Sequence, residues 1–314
     1  MKRLIISHKR SLGAITCVML FLMLSSCSKD FLQRFPLSQL SPETFFTSAQ
    51  DLQFYTNGFY SLVPGQVSDG GSSIWYTYTD DVARTGPSNE VKGTRTVPVS
   101  GGGWTWTTLR DIDFYLGNSY KCTDVDSRLR YDGVAKFFRA WFYFMMVKRF
   151  GDVPWYSNVM ESNDSLDLNK PRDSRMLVVD SILNDLDFAI ANLPTSQSID
   201  QVTKWTALAL KSRVCLYEGT WRKYHANDAF GKDSYGKPLT GWQDLLEQCV
   251  AASTALMQGG VYSIYTGGGQ NSYQQLFNAT APAIKSAIAK EVILARVFDG
   301  SIQYYHGANF HTLS

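Results

Sequence analysis

The sequence lacks the motifs that mark the common catalytic and nucleic-acid-binding classes. It has no G-x-S-x-G nucleophile motif, no H-E-x-x-H zinc motif and no phosphate-binding loop, so these patterns of hydrolase, metalloprotease and nucleotidase are excluded. Charge of one sign is also lacking, because 30 Lys and Arg residues stand against 28 Asp and Glu residues in 314. A near-neutral chain does not provide the basic field of a dedicated nucleic-acid binder, so we expect no nucleic-acid partner.

Cysteine and histidine are scarce, with five and four residues respectively. Cys122, Cys215 and Cys249 lie in helical patterns, and no pair has the C-x-x-C spacing of a zinc or redox motif. We therefore interpret these three as free thiols buried in the core. His306 and His311 are five residues apart and do not share one helical face, so we predict neither a metal site nor a cofactor.

No apolar run reaches the roughly 20 residues that a membrane-spanning helix needs. The N-terminal run covers residues 12–24 and follows a segment with four Lys and Arg residues and no carboxylate. This order of charged and apolar segments is typical of a secretory signal peptide, which we place at residues 1–26.

The signal peptide ends in Leu24, Ser25 and Ser26 before Cys27, which resembles the lipobox of bacterial lipoproteins. That resemblance implies cleavage before Cys27 and lipidation of its thiol. Several acyl chains give firm membrane anchorage, because each buried CH₂ contributes about 0.8 kcal/mol. The alternative is an ordinary secretory signal that happens to be followed by a cysteine.

The composition is that of a chain with a large core, because 44% of the residues are hydrophobic and 14% are aromatic. Apolar residues recur at helical spacing from Trp104 to about residue 260, and residues 61–103 read as a long ordered loop or an irregular pair of strands. The pattern predicts a mainly α fold, a TPR-like helical array with long irregular loops, although the standard TPR signature is absent. The predicted elements are helices that begin at Ser41, Arg128, Ser174, Thr203 and Trp242 and a short strand at 291–294. The helix from Thr203 is predicted to end at about Glu218, and the helix from Trp242 at Gln258.

The clearest predicted helix spans residues 128–150 and ends at Gly151. Apolar side chains occupy nearly every face of it, so we predict burial nearly all round with Trp141 at the centre. The predicted core positions of this helix are Val134, Phe137, Phe138, Trp141, Phe142, Tyr143, Phe144, Met145 and Val147.

Several segments together resemble the SusD/RagB family of lipoproteins. The signature helix is AKFFRAWFYF at residues 135–144, followed by RFGDVP at 149–154. DLDFAI at 185–190 resembles the next family helix, and residues 203–225 resemble the third. AKEVIL at 289–294 resembles the strand that follows. The combination is specific, and it covers the chain from about residue 27 to its end.

The resemblance implies one SusD-like domain over residues 27–314 with a TPR-like array. It also implies lipid anchorage in the outer membrane of a Bacteroidota cell, at the surface, and pairing with a SusC-like TonB-dependent transporter. The protein is then expected to act as a lid that captures oligosaccharides, or peptides in some members. Family members usually continue with a late helix rich in Leu, Ala and Glu, so we expect this chain to be C-terminally incomplete.

A ten-residue loop segment that begins at Trp75 combines aromatic, acidic and basic side chains. A sugar presents an apolar C–H face and a rim of hydroxyls, which flat aromatic rings and planar polar groups can bind. The resemblance implies that Asp81 and Arg84 contact the ligand, with Asp80 as the alternative acid and Trp75 or Tyr78 on the apolar face. The competing interpretation is an Asp–Arg pair that only holds the loop together.

Two other aromatic residues enter the predicted site. Trp104 and Trp106 open the first array helix, and we expect one to pack in the core and the other, for which we select Trp104, to form a ligand platform. Tyr304, beside Tyr305, lies in a region that often completes the family site. The predicted ligand-binding residues are therefore Asp81, Arg84, Trp75, Tyr78, Trp104 and Tyr304.

We expect a binding protein and not an enzyme. Asp80 and Asp81 are adjacent and face opposite ways in an extended segment, whereas the carboxylates of a retaining glycosidase face each other about 5 Å apart. A catalytic carboxylate pair formed by residues that are distant in the sequence remains an alternative. The alternative functions are a peptide-binding member of the family, a TPR-type protein scaffold and a surface glycoside hydrolase.

Overall fold

The computed structural model describes residues 45–63, 89, 91–99, 101–160, 164, 166, 169–278 and 288–297. These residues form seven α-helices and, within those ranges, no β-ladder, which confirms the predicted mainly α class. Two isolated antiparallel bridges join Val153 to Asp173 and Lys232 to Pro238. The helices are α1 (Ala49–Asn57), α2 (Thr107–Leu116), α3 (Val125–Phe150), α4 (Arg175–Asn192), α5 (Lys204–Tyr224), α6 (Trp242–Gln258) and α7 (Ser272–Asn278).

Side-chain caps fix several helix starts where the sequence places them. The hydroxyl of Ser174 accepts a hydrogen bond from the Met176 amide at 3.4 Å and precedes α4. Thr203 and Thr206 form a capping box at the start of α5. Ser, Thr and Asp oxygens at these positions satisfy amides that have no partner inside the helix. Gly151 ends α3 with a φ of 72°, a conformation that glycine adopts without a steric cost.

Three predicted elements are wrong in detail. The first helix begins at Ala49 behind a Ser48–Asp51 capping box, and residues 45–48 form bends where the Ser41 start predicted helix. Helix α5 continues to Tyr224, six residues past its predicted end at Glu218. Residues 291–297 form a turn, bends and irregular chain and not a strand, because an apolar run becomes a strand only when another segment pairs with it.

Successive helices pack pairwise, α3 on α4, α4 on α5 and α5 on α6, while α1 and α2 cover another side of α3. Gly219 permits the close approach of α5 to α6, because a Cβ there would lie 2.9 Å from Cδ2 of Leu246. The three cysteines in the described part of the chain are free thiols, as predicted; Cys122 and Cys215 are buried, but Cys249 is only half-buried. Helix α3 lies at the centre of the array, because α1, α2 and α4 all pack against it.

The core of α3 differs from the prediction at two positions. Phe137, Phe138 and Tyr143 are fully buried, but Trp141 is half-buried and Met145 is 42% exposed. Arg139 is instead buried, at 6% exposure. One stripe of α3 therefore remains in contact with solvent, and one charged residue takes a core position that apolar periodicity alone assigns to hydrophobic side chains.

Arg139 is compensated by two carboxylates from neighbouring helices. Its Nε and Nη2 donate to the two oxygens of Asp185 at 2.6 and 2.8 Å, and its Nη1 donates to Asp113 at 3.0 Å. Burial on its own would lower the pKa of Arg139, but the hydrogen bonds and charges of Asp185 and Asp113 outweigh burial and raise it. The three side chains link α2, α3 and α4.

A second buried ion cluster joins α4 to α5. Glu218 is 1% exposed and accepts from Arg175 at 3.1 and 2.7 Å and from Arg222 at 2.8 Å. Nη1 of Arg222 also donates to the Thr240 carbonyl at 2.7 Å. The Glu218 carboxylate offsets the charge of both guanidinium groups in part and accepts their hydrogen bonds, which lowers the cost of burying them inside the array.

Candidate ligand-binding groove

A groove of about 640 Å³ opens beside the N-terminal end of α2. We call it the aromatic groove. Its walls come from the segment before α2, the first turns of α2 and the two irregular segments that follow α3. The lining residues are Trp104, Trp106, Thr107, Leu109, Arg110, Asp113, Pro154, Tyr156, Asn158, Met160, Lys170, Pro171 and Arg172.

A glycine turn presents the two tryptophans of the groove. Gly101, Gly102 and Gly103 have φ values of 76°, 64° and 85°, so all three lie in the left-handed region that other residues rarely adopt. The Trp104 amide donates to the Gly101 carbonyl at 3.2 Å and closes the turn. The triplet therefore directs the chain into α2 with Trp104 and Trp106 on the groove wall.

Both tryptophans are half-buried and held by other rings. Trp106 packs against Phe142 and Tyr156 with ring centroids 5.8 and 5.6 Å apart. Trp104 meets Phe150 edge-on at 4.9 Å and Trp106 at 5.1 Å. Rings fixed on one side and open on the other can bind an apolar ligand face with little loss of side-chain entropy.

Tyr143 holds the opposite wall from inside the core. Its hydroxyl accepts from the Tyr156 amide at 2.6 Å and lies 3.3 Å from the Pro154 carbonyl oxygen. Trp155 stacks on its ring at 4.2 Å, and the Trp155 amide donates to Asp173 at 2.7 Å. Burial raises the pKa of Tyr143, so its hydroxyl stays protonated.

Three cations surround the aromatic rings. The Arg172 guanidinium lies 4.9 Å above the Trp104 ring, and Nζ of Lys170 lies 5.1 Å above Tyr156. Nζ of Lys170 also contacts the Trp155 carbonyl oxygen and Asp173, each at 2.7 Å. Nη1 of Arg110 donates to the Met160 carbonyl. These contacts hold nitrogen donors at the groove rim, where a ligand's hydroxyl groups can reach them.

Asp113 is the acid at the groove floor. It is 2% exposed, and burial raises its pKa to about 6 although the neighbouring Arg139 lowers it. Its hydrogen bond to Arg139 gives the carboxylate a place in the core cluster described above. We therefore interpret Asp113 as a structural residue that supports the groove from below.

Trp104 is the one predicted ligand residue in the part of the chain that the structure describes. Trp104 lies in the groove, and Trp106 lines it as well, so neither ring is confined to the core. Cys27, Asp81, Arg84, Trp75, Tyr78 and Tyr304, together with the signal peptide, lie outside the described residues.

Sequence analysis did not select Tyr156, Lys170 or Arg172. They lie in irregular segments and belong to no helical stripe, so periodicity gives no signal for them. The aromatic pair Trp155–Tyr156 directly after Pro154 was the available signal, because aromatic residues in loops often contact ligands.

Neither a metal site nor a membrane-spanning helix is found in the part of the chain that the structure describes. No group of three or more His, Cys, Asp and Glu side chains there is arranged to hold a metal ion. Among the same residues, no helix combines the length and the apolar character that crossing a membrane requires.

Comparison with known proteins finds similarity to SusD-like proteins. Residues 109–216 match the SusD-like family described as starch-binding and associating with the outer membrane. SusD-like protein P25 of Formosa agariphila is 23% identical over 229 residues, covering 65% of this chain and 43% of the relative. SusD-like protein P2 of the same organism is 26% identical over 225 residues, covering 67% and 44%.

Solved structures agree on the fold. A SusD-like protein of Bacteroides fragilis superposes with a TM-score of 0.52 at 22% identity, covering 77% of this chain and 44% of that one. A SusD superfamily protein of Bacteroides thetaiotaomicron gives 0.51 at 19% identity, covering 75% and 50%. The chain is therefore similar to SusD-like proteins over part of its length, and it shares their TPR-like helical fold. It spans less than half the length of the two curated relatives.

Proposed function

We propose that this chain is part of a cell-surface lipoprotein that captures oligosaccharides. The aromatic groove is the observation that carries the proposal. Trp104, Trp106 and Tyr156 offer ring faces and edges for the C–H surface of a sugar, and Lys170 and Arg172 offer nitrogen donors for its hydroxyls. The family description, starch-binding, supports the same ligand class.

The residues predicted from sequence complete the proposed site. Asp81 and Arg84 orient hydroxyl groups of the ligand, and Trp75 or Tyr78 packs on its apolar face. Tyr304 adds a further aromatic contact. We propose that the protein binds its ligand without cleaving it, so incubation with an oligosaccharide should return the saccharide intact, as chromatography of the mixture can check.

We also propose that the bound oligosaccharide passes to a SusC-like TonB-dependent transporter in the outer membrane. The family description, associating with the outer membrane, supports the location. The lipobox at residues 24–27 supports anchorage by lipid. Copurification of a SusC-like barrel with the tagged protein from its own cells tests the partnership.

Replacing Trp104 by alanine should weaken oligosaccharide binding by about tenfold or more. The substitution removes the ring that forms one wall of the groove, and the loss of one stacked aromatic contact costs about 1–3 kcal/mol. Calorimetric titration of the purified chain with a panel of neutral hexasaccharides measures the dissociation constant, and a thermal melt checks that the fold is retained.

Trp242→Ala is the matched control for that experiment. Trp242 is also half-buried, but it begins α6 and does not line the groove. Its variant should bind like the wild type. Equal affinity of the Trp104→Ala and Trp242→Ala variants, or no binding of any saccharide by the wild type, contradicts the proposed function.

Replacing Cys27 by alanine should release the protein from the membrane fraction, because the acyl chains that anchor it are attached to this thiol. The measurement is fractionation of cells grown with a labelled fatty acid. Cys17→Ala, a change inside the signal segment, should stay labelled and membrane-bound. A Cys27→Ala protein that keeps both label and location would show that lipid is not attached there.

A further inference from the structure

A second cleft lies at the C-terminal end of α3, with a volume of about 400 Å³. We call it the basic cleft. It is lined by the end of α3, the segments on either side of the Val153–Asp173 bridge, α5 and the segment 229–234. Arg172 lines both the basic cleft and the aromatic groove, so the two are adjacent. The cations of the cleft are Lys148, Arg149, Arg172, Arg175 and Lys232.

Four of these five cations have no carboxylate partner in the described part of the chain. Arg175 pairs with Glu218, whereas no described carboxylate lies within 4.0 Å of the charged nitrogens of Lys148, Arg149, Arg172 and Lys232. Surface cations usually have mixed-sign neighbours, so a cleft lined by four such side chains attracts anions.

The two acids of the cleft are already engaged by the backbone. Asp152 accepts hydrogen bonds from the amides of Arg175, at 2.8 Å, and Ser234. Asp233 is 8% exposed and accepts from the amides of Tyr235 and Lys237 at 3.0 and 2.8 Å. Neither carboxylate lies within 4.0 Å of a charged nitrogen of the cleft, and five cations against two acids leave the cleft with an excess of positive charge.

The surroundings of Lys148 indicate crowded positive charge. Burial and the nearby charge of Arg213 lower its pKa, and its Nζ lies 4.6 Å above the Phe144 ring. A bound anion would offset this unfavourable environment of the ammonium group.

Arg172 has guanidinium donors that a ligand can use. Its Nη1 lies 3.4 and 3.5 Å from the carbonyl oxygens of Phe150 and Asp152, which leaves further guanidinium donors free for a ligand.

An aromatic wall stands opposite these cations. Trp221 stacks on Tyr217 with ring centroids 6.2 Å apart and meets Phe230 edge-on at 6.3 Å. Its Nε1 donates to the Phe230 carbonyl at 3.3 Å, and the Arg175 guanidinium lies 4.7 Å from its ring centroid. A cleft that combines cations with fixed aromatic rings suits a negatively charged sugar. The cations can bind its charged group, and the aromatic rings can pack on its sugar ring, which an inorganic ion lacks.

We propose that the basic cleft binds the carboxylate or sulfate groups of an acidic oligosaccharide while neighbouring sugar units occupy the aromatic groove. This inference rests on the proposed function and narrows its ligand class. Arg172, which lines both sites, contacts the ligand where it passes from one to the other.

The test compares an acidic hexasaccharide with its neutral form. The probes are hexagalacturonate and its methyl ester, and a sulfated galactose hexasaccharide and its unsulfated parent, titrated calorimetrically into the full chain at low salt. The wild type should prefer at least one acidic probe by about tenfold, and the preference should shrink as salt is raised to about 0.5 M. Equal binding of each acidic and neutral pair overturns the proposal.

The double variant Lys148→Gln, Lys232→Gln removes two exposed charges of the cleft. Loss of hydrogen bonds to charged groups at exposed sites should weaken binding of the acidic probe by about three- to tenfold for each lysine, with the neutral probe unaffected. The control is Lys223→Gln, Lys290→Gln, which removes the same charge from exposed positions outside the cleft. If both double variants lose acidic binding equally, only the net charge matters and the cleft is not a site.

Two further measurements distinguish failure of the basic cleft from failure of the proposed function. Inorganic sulfate should compete only at concentrations far above those of the sulfated hexasaccharide; equal potency would show a site for free anions and overturn the saccharide assignment. Trp104→Ala should weaken acidic and neutral probes alike. If Trp104→Ala weakens the neutral probes while the Lys148→Gln, Lys232→Gln variant binds all probes like the wild type, the proposed function stands and the basic cleft fails.

Discussion

Asp185→Ala is expected to lower the free energy of unfolding by about 3–5 kcal/mol, because it leaves the buried Arg139 without its main partner. Arg139 is 6% exposed and donates two hydrogen bonds to the Asp185 carboxylate. Asp113 would remain as the second acceptor of the guanidinium, and burial already raises its pKa to about 6. Water cannot replace the lost acceptor at the centre of the array, so the desolvation cost of the charge is no longer offset.

Asp187→Ala provides the matched control on the same helix. Asp187 also forms an ion pair, with Lys211 at 2.6 Å, but its side chain is 55% exposed. Exposed pairs contribute at most about 1 kcal/mol because water solvates both partners after the change. Urea unfolding of both variants measures the difference. Similar losses for the two variants would show that burial does not set the strength of the Arg139–Asp185 pair.

The helix boundaries that sequence analysis obtained correctly depend on local chemistry. Ser174, Thr203 and Gly151 act within one turn of the helix end they define, so their roles are visible in a short window of sequence. The Ser41 start failed because a second cap, Ser48 with Asp51, lies seven residues further on and begins α1. The predicted strand at 291–294 failed because strand formation depends on a partner segment, which apolar character does not supply.

The buried charges could not be predicted because their causes are not local. Arg139 interrupts an apolar run in the sequence, and its partner Asp185 lies 46 residues away on the next long helix. A single sequence gives no signal for such a pairing. The same limit applies to Glu218, which binds one arginine four residues away and another 43 residues away.

The candidate groove was predictable in part. The sequence predicts that one of Trp104 and Trp106 packs in the core and the other forms a ligand platform, whereas both line the groove. Tyr156, Lys170 and Arg172 reach the same groove only because the Val153–Asp173 bridge brings their irregular segments together. The basic cleft was not predictable at all, since its cations come from α3 and two separate later segments.

Phe138→Ala is expected to cost about 3–5 kcal/mol of stability, the second large effect. The ring is fully buried and packs edge-on against Tyr60 at 4.9 Å, Phe137 at 5.2 Å and Phe59 at 6.3 Å. It therefore joins α3 to the 3₁₀ turn Gly58–Leu62 that follows α1. Truncation leaves a cavity among rings that other core contacts hold in place, so collapse around it recovers little of the lost packing.

Trp141→Ala, on the same helix, should cost about 2 kcal/mol or less, although tryptophan is the larger residue and the apolar pattern places it at the centre of the core. Trp141 is half-buried, and its ring contacts Phe137 at 6.2 Å. Burial energy scales with the apolar area removed from water, so a partly exposed ring loses a smaller fraction of its burial energy on truncation than a fully buried one. Thermal and urea unfolding of the two variants show whether burial or residue size determines the loss of stability. A larger loss for Trp141→Ala than for Phe138→Ala would contradict the placement of α3, because rotating the helix to bury Trp141 would also move Arg139 away from Asp185.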